Sequence, residues 1–375
     1  MKIVFDLTPI YDHLTGIERY NINITKEIIT SHTENQYILI FKNEVHNDFK
    51  ELALLDYIDT IIIQACNKLF FIQYKLYRIL QQLEADYYVF LSFTSPILFR
   101  KKKIINAIHD LTCWDCPETI PLKMKYYYRY TYKKAVDNSW KIVTVSKFSR
   151  KRICSKYNVD DSKVSLIYDG LTKIFEQDII YNPEISKKYG LPNKYILSLS
   201  TLEPRKNLKL LIRAYKELLE ENKEIPDLVL AGRKGWKLEE IVGGITDNIK
   251  NKIHFTGFVD DKDLPQLYAD AEVFVFPSLY EGFGLPVIEA MSQRTIVISS
   301  DAASLPEVAG DAGILFKSND INDLKKKICM FFNMDDTEKE KRKAKGVLIS
   351  KKFSWLNEAE KLIKIMEDEY NKKEK

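Results

Sequence analysis

Short β-branched runs alternate with longer amphipathic stretches along this chain, and the pattern occurs twice. No other feature constrains the fold as strongly. Brief, nearly continuous apolar runs bounded by turn residues read as strands buried on both faces, and the helical stretches between them serve as crossovers, so the sheets are parallel. In the first half the strands fall at 2–7, 36–41, 60–64, 87–91, 104–108, 142–145 and 164–168. A helix lies between the first two, with Ile17, Ile24 and Ile28 sharing a face with Tyr20. Ser146 is placed to cap the helix after Val143-Thr144-Val145. The second half restarts with strands at 195–199, 228–231, 252–255, 273–276, 296–298 and 314–316. Its helices fall at 207–220, 286–292, 321–333 and near the C-terminus. Tyr168-Asp169-Gly170 closes the first set, and Asn182-Pro183 lies in the polar connection. The expected architecture is α/β: two doubly wound, Rossmann-like domains joined near 170–190, with a ligand in the cleft at the carboxyl ends of the strands.

Composition narrows the class. A chain of 375 residues suits two domains, and 45% hydrophobic with 29% charged residues is the balance of a soluble globular protein. The start, Met1 to Asp6, does not resemble a secretory signal. The longest apolar stretch, 87–99, is interrupted by Ser92, Thr94, Ser95 and Pro96 and is too short to span a bilayer. A cytoplasmic protein is expected, with any membrane association peripheral. Five cysteines in so long a chain do not form a disulfide framework. Cys113-Trp114-Asp115-Cys116, with His109 before it, lacks the second ligand pair a zinc site needs. The net charge of +4 divides unevenly. Residues 1–175 carry 25 Lys+Arg and 19 Asp+Glu; the remainder carries 32 and 34. Residues 100–152 hold 14 basic and 4 acidic side chains. That patch suits an anionic membrane surface, a phosphate-bearing acceptor or a solvated face. The tyrosine-rich helical stretch 123–134 inside it suits a membrane surface or acceptor groove, and no RNA-binding signature accompanies it.

The stretch from Phe276 to Met291 carries the most chemistry. A buried strand ends at Pro277, a loop with Gly282 and Gly284 follows, and Pro286 takes a first-turn helix position. Glycines let backbone N–H groups approach a ligand, and the helix N-terminus favours negative charge, so Gly282, Phe283, Gly284 and Leu285 make a pyrophosphate cradle. Glu281 sits in the loop and Glu289 in the helix, so the two do not flank one bond as glycosidase carboxylates do. Each instead accepts hydroxyl groups of an extended ligand.

This segment resembles the Glu, seven residues, Glu signature of retaining glycosyltransferases with the GT-B fold, in particular glycosyltransferase family 4. The resemblance implies that Glu281 contacts a donor sugar and Glu289 the nucleotide ribose. Leu202-Glu203-Pro204-Arg205-Lys206-Asn207 resembles the family's phosphate clamp, with Lys206 at the usual lysine and Arg205 beside it. Many members carry an Arg six residues before that lysine, where this chain has Ser200. Leu14-Thr15-Gly16-Ile17-Glu18-Arg19-Tyr20 resembles the family's glycine loop, with Glu18 in place of a second glycine. Ile108-His109-Asp110-Leu111 resembles its His-Asp pair, which places His109 near the reacting sugar and Asp110 in support. The resemblance also implies that the two loops holding Gly232 and Arg233, and Phe258 and Val259, touch the base. Phe353-Ser354-Trp355 and the helix after it resemble the closing element that returns to the first domain.

The implied organisation is an acceptor-binding domain at 1–172, a nucleotide-sugar domain at 173–355, and a helix at 356–375 packed on the first. The implied enzyme is a hexosyltransferase, retaining and independent of metal ions and other cofactors. Its donor would be a nucleoside-diphosphate sugar, GDP-mannose first and dTDP-rhamnose or a UDP-sugar as alternatives. Its acceptor would be a lipid-linked cell-surface glycan such as O-antigen or capsule, and nucleic acid is not a partner. A sugar-nucleotide 2-epimerase and a non-catalytic scaffold are the competing readings of the same frame.

Overall fold

The computed structural model describes residues 1–10, 16–64, 71–177, 179–236, 238–243, 245 and 247–373. It divides into two compact units. The first comprises 1–115, 121–170 and 354–375, and the second 116–120 and 171–353.

The first unit is built on a seven-stranded sheet of β1 (Lys2–Asp6), β2 (Gln36–Lys42), β3 (Ile58–Ile63), β4 (Tyr87–Phe90), β5 (Ile104–Ala107), β6 (Lys141–Thr144) and β7 (Val164–Leu166). The order is β3-β2-β1-β4-β5-β6-β7, and each pairing is parallel. Val4 faces Ile38 on one side and Tyr88 on the other. Those apolar side chains are buried, as strands covered on both faces require. The helices of eight residues or more in this unit are α1 (Gly16–Ser31), α2 (Leu122–Asn138), α3 (Lys147–Tyr157) and, from the chain's end, α8 (Trp355–Tyr370). Tyr20, Ile24 and Ile28 form the buried stripe of α1, while Ile17 in its first turn is half-buried. Ser146 caps α3, its hydroxyl accepting from the Ser149 N–H at 3.1 Å. Helix α8 is anchored from several sides. Tyr87 donates to the Met366 carbonyl at 2.6 Å, and buried Glu358 accepts the Tyr168 N–H at 2.9 Å.

The second unit carries a six-stranded parallel sheet of β8 (Tyr195–Leu199), β9 (Asp227–Ala231), β10 (Ile253–Gly257), β11 (Val273–Phe276), β12 (Val297–Ser300) and β13 (Ile314–Phe316), in the order β10-β9-β8-β11-β12-β13. Its longer helices are α4 (Leu208–Glu220), α5 (Leu285–Ser292), α6 (Ile321–Phe332) and α7 (Asp336–Ser350). Leu211, Tyr215 and Leu218 of α4 pack with Leu228, Val273, Ile298, Leu324 and Ile328 in one core. In each sheet the earliest strand is interior and the order reverses beside it, at β1/β4 and at β8/β11. Those switch points leave a crevice at the carboxyl ends of the strands. Helix α7 is absent from the sequence reading, because its run of Lys, Arg and Glu has little apolar periodicity to find. Among the described residues no helix is long and apolar enough to cross a membrane.

Candidate functional site

The second unit's switch point lies between the loops that follow β8 and β11. After β8 the chain makes a short 3₁₀ turn at Pro204–Lys206, which Asn207 closes with a left-handed backbone at φ 52°. Arg205 donates from Nη1 to the Tyr280 carbonyl at 2.7 Å and to Glu281 Oε2 at 2.9 Å, and from Nη2 to Glu203 Oε1 at 2.9 Å. Lys206 Nζ donates to Glu281 Oε1 at 2.6 Å, and Ser278 Oγ donates to the same oxygen at 2.6 Å. The Leu279 N–H adds a backbone bond to the Arg205 carbonyl at 2.9 Å. Along the sequence the cations and Glu281 fall in separate motifs, one expected at phosphate and one at sugar. The fold joins them in one cluster around the buried Glu281 carboxylate, with both cations partly buried.

Burial alone would raise the Glu281 carboxyl, but Arg205, Lys206 and the bonds from Lys206 and Ser278 outweigh it and hold its pKa at about 2. Lys206 lies below the usual ammonium range, because burial and the like charge of Arg205 outweigh the attraction of Glu281. The Glu281 contribution to stability is therefore complete above the unfolded value of 4.5 and is lost as pH falls from there towards 2. Urea melts of wild type and Glu281→Gln should diverge in pH slope within that window and run parallel above it. Parallel behaviour throughout would show that the carboxylate is not held by the two cations.

The β11 loop is secured from below. Ser304 Oγ lies 2.7 Å from the Phe283 carbonyl and 3.0 Å from the Glu281 carbonyl, and Ser300 Oγ donates to the Ser278 carbonyl at 2.5 Å. Gly284 immediately precedes α5 with φ 113°, a conformation that side chains rarely adopt, and Pro286 follows in the first turn. Gly282 and Phe283 are buried, Leu285 is half-buried, and the Phe283 ring meets Phe353 edge-on at 5.1 Å. Glu289, one turn into α5 and 5% exposed, accepts the Tyr268 hydroxyl at 2.9 Å.

The other two predicted loops meet the same sheet end. The Leu202 N–H donates to the Arg233 carbonyl at 2.9 Å, and the Gly232 N–H to the Gly257 carbonyl at 2.8 Å. The Arg233 guanidinium lies over the Phe258 ring, 4.4 Å from its centroid, while Val259 is buried. Ser200 is buried, and its hydroxyl has no hydrogen-bond partner among the described residues. Its backbone packs so closely on Gly232 that a Cβ on the glycine would sit 2.0 Å from the Ser200 carbonyl oxygen.

In the first unit, His109 follows β5. Its Nε2 is 2.7 Å from the Leu91 carbonyl, and since a carbonyl only accepts, that nitrogen carries the proton. Burial lowers the His109 pKa, against the opposing pull of the Leu91 carbonyl, Asp110 and Glu18, so the ring is neutral near pH 7 with Nδ1 as its acceptor. Tyr20 packs edge-on against it at 4.9 Å. Asp110 accepts the Thr112 N–H at 2.8 Å and so holds the loop after His109. Gly16 opens α1, and Glu18 is a buried member of its first turn, where a carboxylate complements the helix dipole. Glu18 is thus helical. Leu14 and Thr15 lie outside the described residues.

Tyr268, Ser278, Ser304 and Glu203 were not singled out by the sequence. Tyr268 sits in a buried helical turn at Leu264–Ala269, indistinguishable along the chain from a core aromatic. Of the C-x-x-C pair, Cys113 is buried and burial raises its thiol to about 12. Among the described residues, His32, Glu34 and Glu367 are the group close enough to share a cation, and none of them was a predicted site residue.

Two parallel-sheet units of this topology define the GT-B class. A glycosyltransferase from Rickettsia africae ESF-5 matches with a TM-score of 0.71 and 18% identity, covering 98% of each chain. HepE from Anabaena, solved with UDP-glucose, matches with a TM-score of 0.71 and 19% identity over 98% of this chain and 100% of that one. Residues 182–346 match the family model described as glycosyl transferases group 1. O-antigen chain mannosyltransferase B of Escherichia coli is 31% identical over 386 residues, covering 95% of this chain and 97% of that protein. The chain belongs to the group 1 glycosyl transferases.

Proposed function

We propose that this glycosyltransferase moves mannose from GDP-mannose, with retention of configuration, to a hydroxyl of a growing, lipid-linked cell-surface polysaccharide. The observation that carries the reading is the Arg205–Lys206–Glu281 cluster at the β8/β11 switch point. Departure of a nucleoside diphosphate develops negative charge, and two partly buried cations beside a helix N-terminus can stabilise it as a metal ion would. In this reading Lys206 and Arg205 turn from Glu281 to the diphosphate when donor binds. Glu281 is then released to accept hydroxyls of the sugar, and Glu289 to accept the ribose. Gly16, Gly232, Arg233, Phe258, Val259 and the 282–285 amides complete the donor contacts. Neutral His109 offers Nδ1 to a sugar hydroxyl, holding the donor for attack from the leaving-group face. The choice of mannose leans on the near full-length similarity to the E. coli O-antigen mannosyltransferase.

Nucleoside diphosphates should be screened by thermal shift. GDP at about 100 times its Kd stabilises the binding form by about 2.7 kcal/mol, which is readily seen. A selective shift with UDP or dTDP instead would replace the donor and keep the reaction class; no shift with any would sink the class itself. Glu289→Ala should raise the GDP Kd about tenfold, whereas Glu281→Ala should chiefly lower turnover. Equal effects on both parameters would undo the division of roles. Release of free diphosphate only on addition of acceptor separates transfer from epimerisation or a scaffold.

A further inference from the structure

The turn from α1 into β2 lies at the amino ends of the first sheet's strands, whereas His109 follows a carboxyl end. The His32 N–H donates to the Ile28 carbonyl at 3.0 Å, and the His32 carbonyl accepts the Tyr37 hydroxyl at 2.7 Å. Tyr37 is buried, so the turn is pinned from the core side. The imidazole, 17% exposed, then faces three carboxylates. Its Nε2 is 2.9 Å from Glu360 Oε1, while its Nδ1 is 3.4 Å from Glu34 Oε1 and 3.9 Å from Glu367 Oε1. Glu360 and Glu367 stand two turns apart on one face of α8. Among the described residues no Lys or Arg pairs with any of the three carboxylates. Neither α1 nor α8 has a basic residue in its last turn, where the helix dipole favours one. The N-terminal ammonium goes instead to Asn35 Oδ1 at 2.9 Å, and the Asn35 amide donates to Glu34 Oε1 at 3.0 Å.

A neutral imidazole has one N–H and one lone pair. With the Nε2 proton on Glu360, the Nδ1 lone pair meets two carboxylates, which repel it unless a cation stands among them. We infer that His32, Glu34 and Glu367 form a divalent-cation site suited to Zn²⁺, with Glu360 as the outer carboxylate that orients the imidazole. His32 Nδ1 and one oxygen from each of the two carboxylates lie within 4.8 Å of one another. Bonds of about 2.0–2.2 Å at tetrahedral angles need donors about 3.3 Å apart, and solvent-facing glutamates close that gap by rotation. Three protein ligands leave a fourth position for water. An imidazole nitrogen selects zinc over the harder Mg²⁺ and Ca²⁺. A carboxylate on the far ring nitrogen is the common support of a metal-bound histidine, and Glu360 stands in that place. The ion would join the end of α1 to a helix about 330 residues later, fastening the chain's last helix to the first unit. The site shares no residue with the donor contacts, so its failure would leave the proposed transfer untouched.

The test is calorimetric titration of the chelator-treated full chain with Zn²⁺ and with Mg²⁺, with melting curves of the metal-free and saturated forms. One Zn²⁺ per chain should bind, at least about 100-fold more tightly than Mg²⁺, and saturation should raise the Tm by about 5 °C. X-ray absorption at the zinc edge should show nitrogen and oxygen ligands without sulfur, which separates this site from the cysteines. Glu34→Gln/Glu367→Gln and, separately, His32→Gln should each weaken Zn²⁺ binding at least about 100-fold, and Glu360→Gln about tenfold. Removing two crowded, solvent-facing charges should leave the metal-free double variant melting no lower than wild type, which verifies its fold. Absence of saturable Zn²⁺ uptake, equal affinity for Mg²⁺, sulfur among the ligands, or undiminished binding by the folded double variant would overturn the assignment. So would a cluster that answers to protons alone, seen as a pH dependence of melting that His32→Gln removes and Zn²⁺ leaves unchanged.

Discussion

Replacing Lys206 with Ala should lower the rate of acceptor-dependent diphosphate release by about 10³-fold, equivalent to about 4 kcal/mol of lost transition-state stabilisation. Lys206 is the nearest cation to Glu281 and, in the proposed mechanism, a principal counter-charge to the leaving diphosphate. The same change should destabilise the second unit by about 3 kcal/mol, because Glu281, 7% exposed, would keep Arg205 and Ser278 and lose its shortest ion pair. The two losses can be separated. Glu281→Gln combined with Lys206→Met removes both charges, and should recover stability to within about 1 kcal/mol of wild type. It should not recover turnover. Initial rates and urea melts of wild type and the two variants make the measurement. Activity of Lys206→Ala within about tenfold of wild type would remove Lys206 from the leaving-group role.

Gly232→Ala should be the most damaging single methyl group at the site. Its backbone has φ 128°, and the added Cβ would stand 2.0 Å from the Ser200 carbonyl oxygen and 2.7 Å from the carbonyl carbon. No rotamer relieves that collision, since the obstacle is the backbone leaving β8. The loops after β8 and β9 would have to part, breaking the neighbouring Leu202–Arg233 bond. A cost of about 4 kcal/mol or more is expected, lowering the unit's Tm by about 10 °C. Gly257→Ala is the matched control, with φ 69° and open space around the new methyl. It should cost only about 1–2 kcal/mol, the ordinary penalty of the left-handed region. Similar melting temperatures for the two variants would mean that the β8 and β9 loops are not held in contact.

Much of this architecture was legible along the chain for one physical reason. Strands buried on both faces must be apolar nearly throughout, and each such run has its strand in the structure, displaced by a residue or two at the ends. Helix ends were legible where a side chain does the capping, as Ser146 does. Helix α7 was not, because it spends most of its surface in water and its charges carry no period.

The candidate site divides in the same way. Glu281, Glu289, Lys206 and the paired glycines belong to compact motifs, so local spacing marks them. Tyr268 and Ser304 act through bonds to residues that are local only in space, while Ser278 reaches Glu281 from three positions away. Tyr268 reaches Glu289 across 21 positions, and Ser304 reaches Glu281 across 23. A buried tyrosine and two serines carry no signal of their own until the partner is seen.

The sequence by itself determined the class of fold, the order of the strands along the chain and the motifs that could grip a nucleotide sugar. Periodicity, turn chemistry and short-range spacing all act between neighbours in the chain. Only the tertiary structure decided that Glu281 shares its buried oxygens with Arg205 and Lys206, roughly 75 residues earlier, and that its pKa is held at about 2. A charge environment is set by what lies within a few ångströms, and the sheet order that placed β8 beside β11 is a property of the folded chain alone.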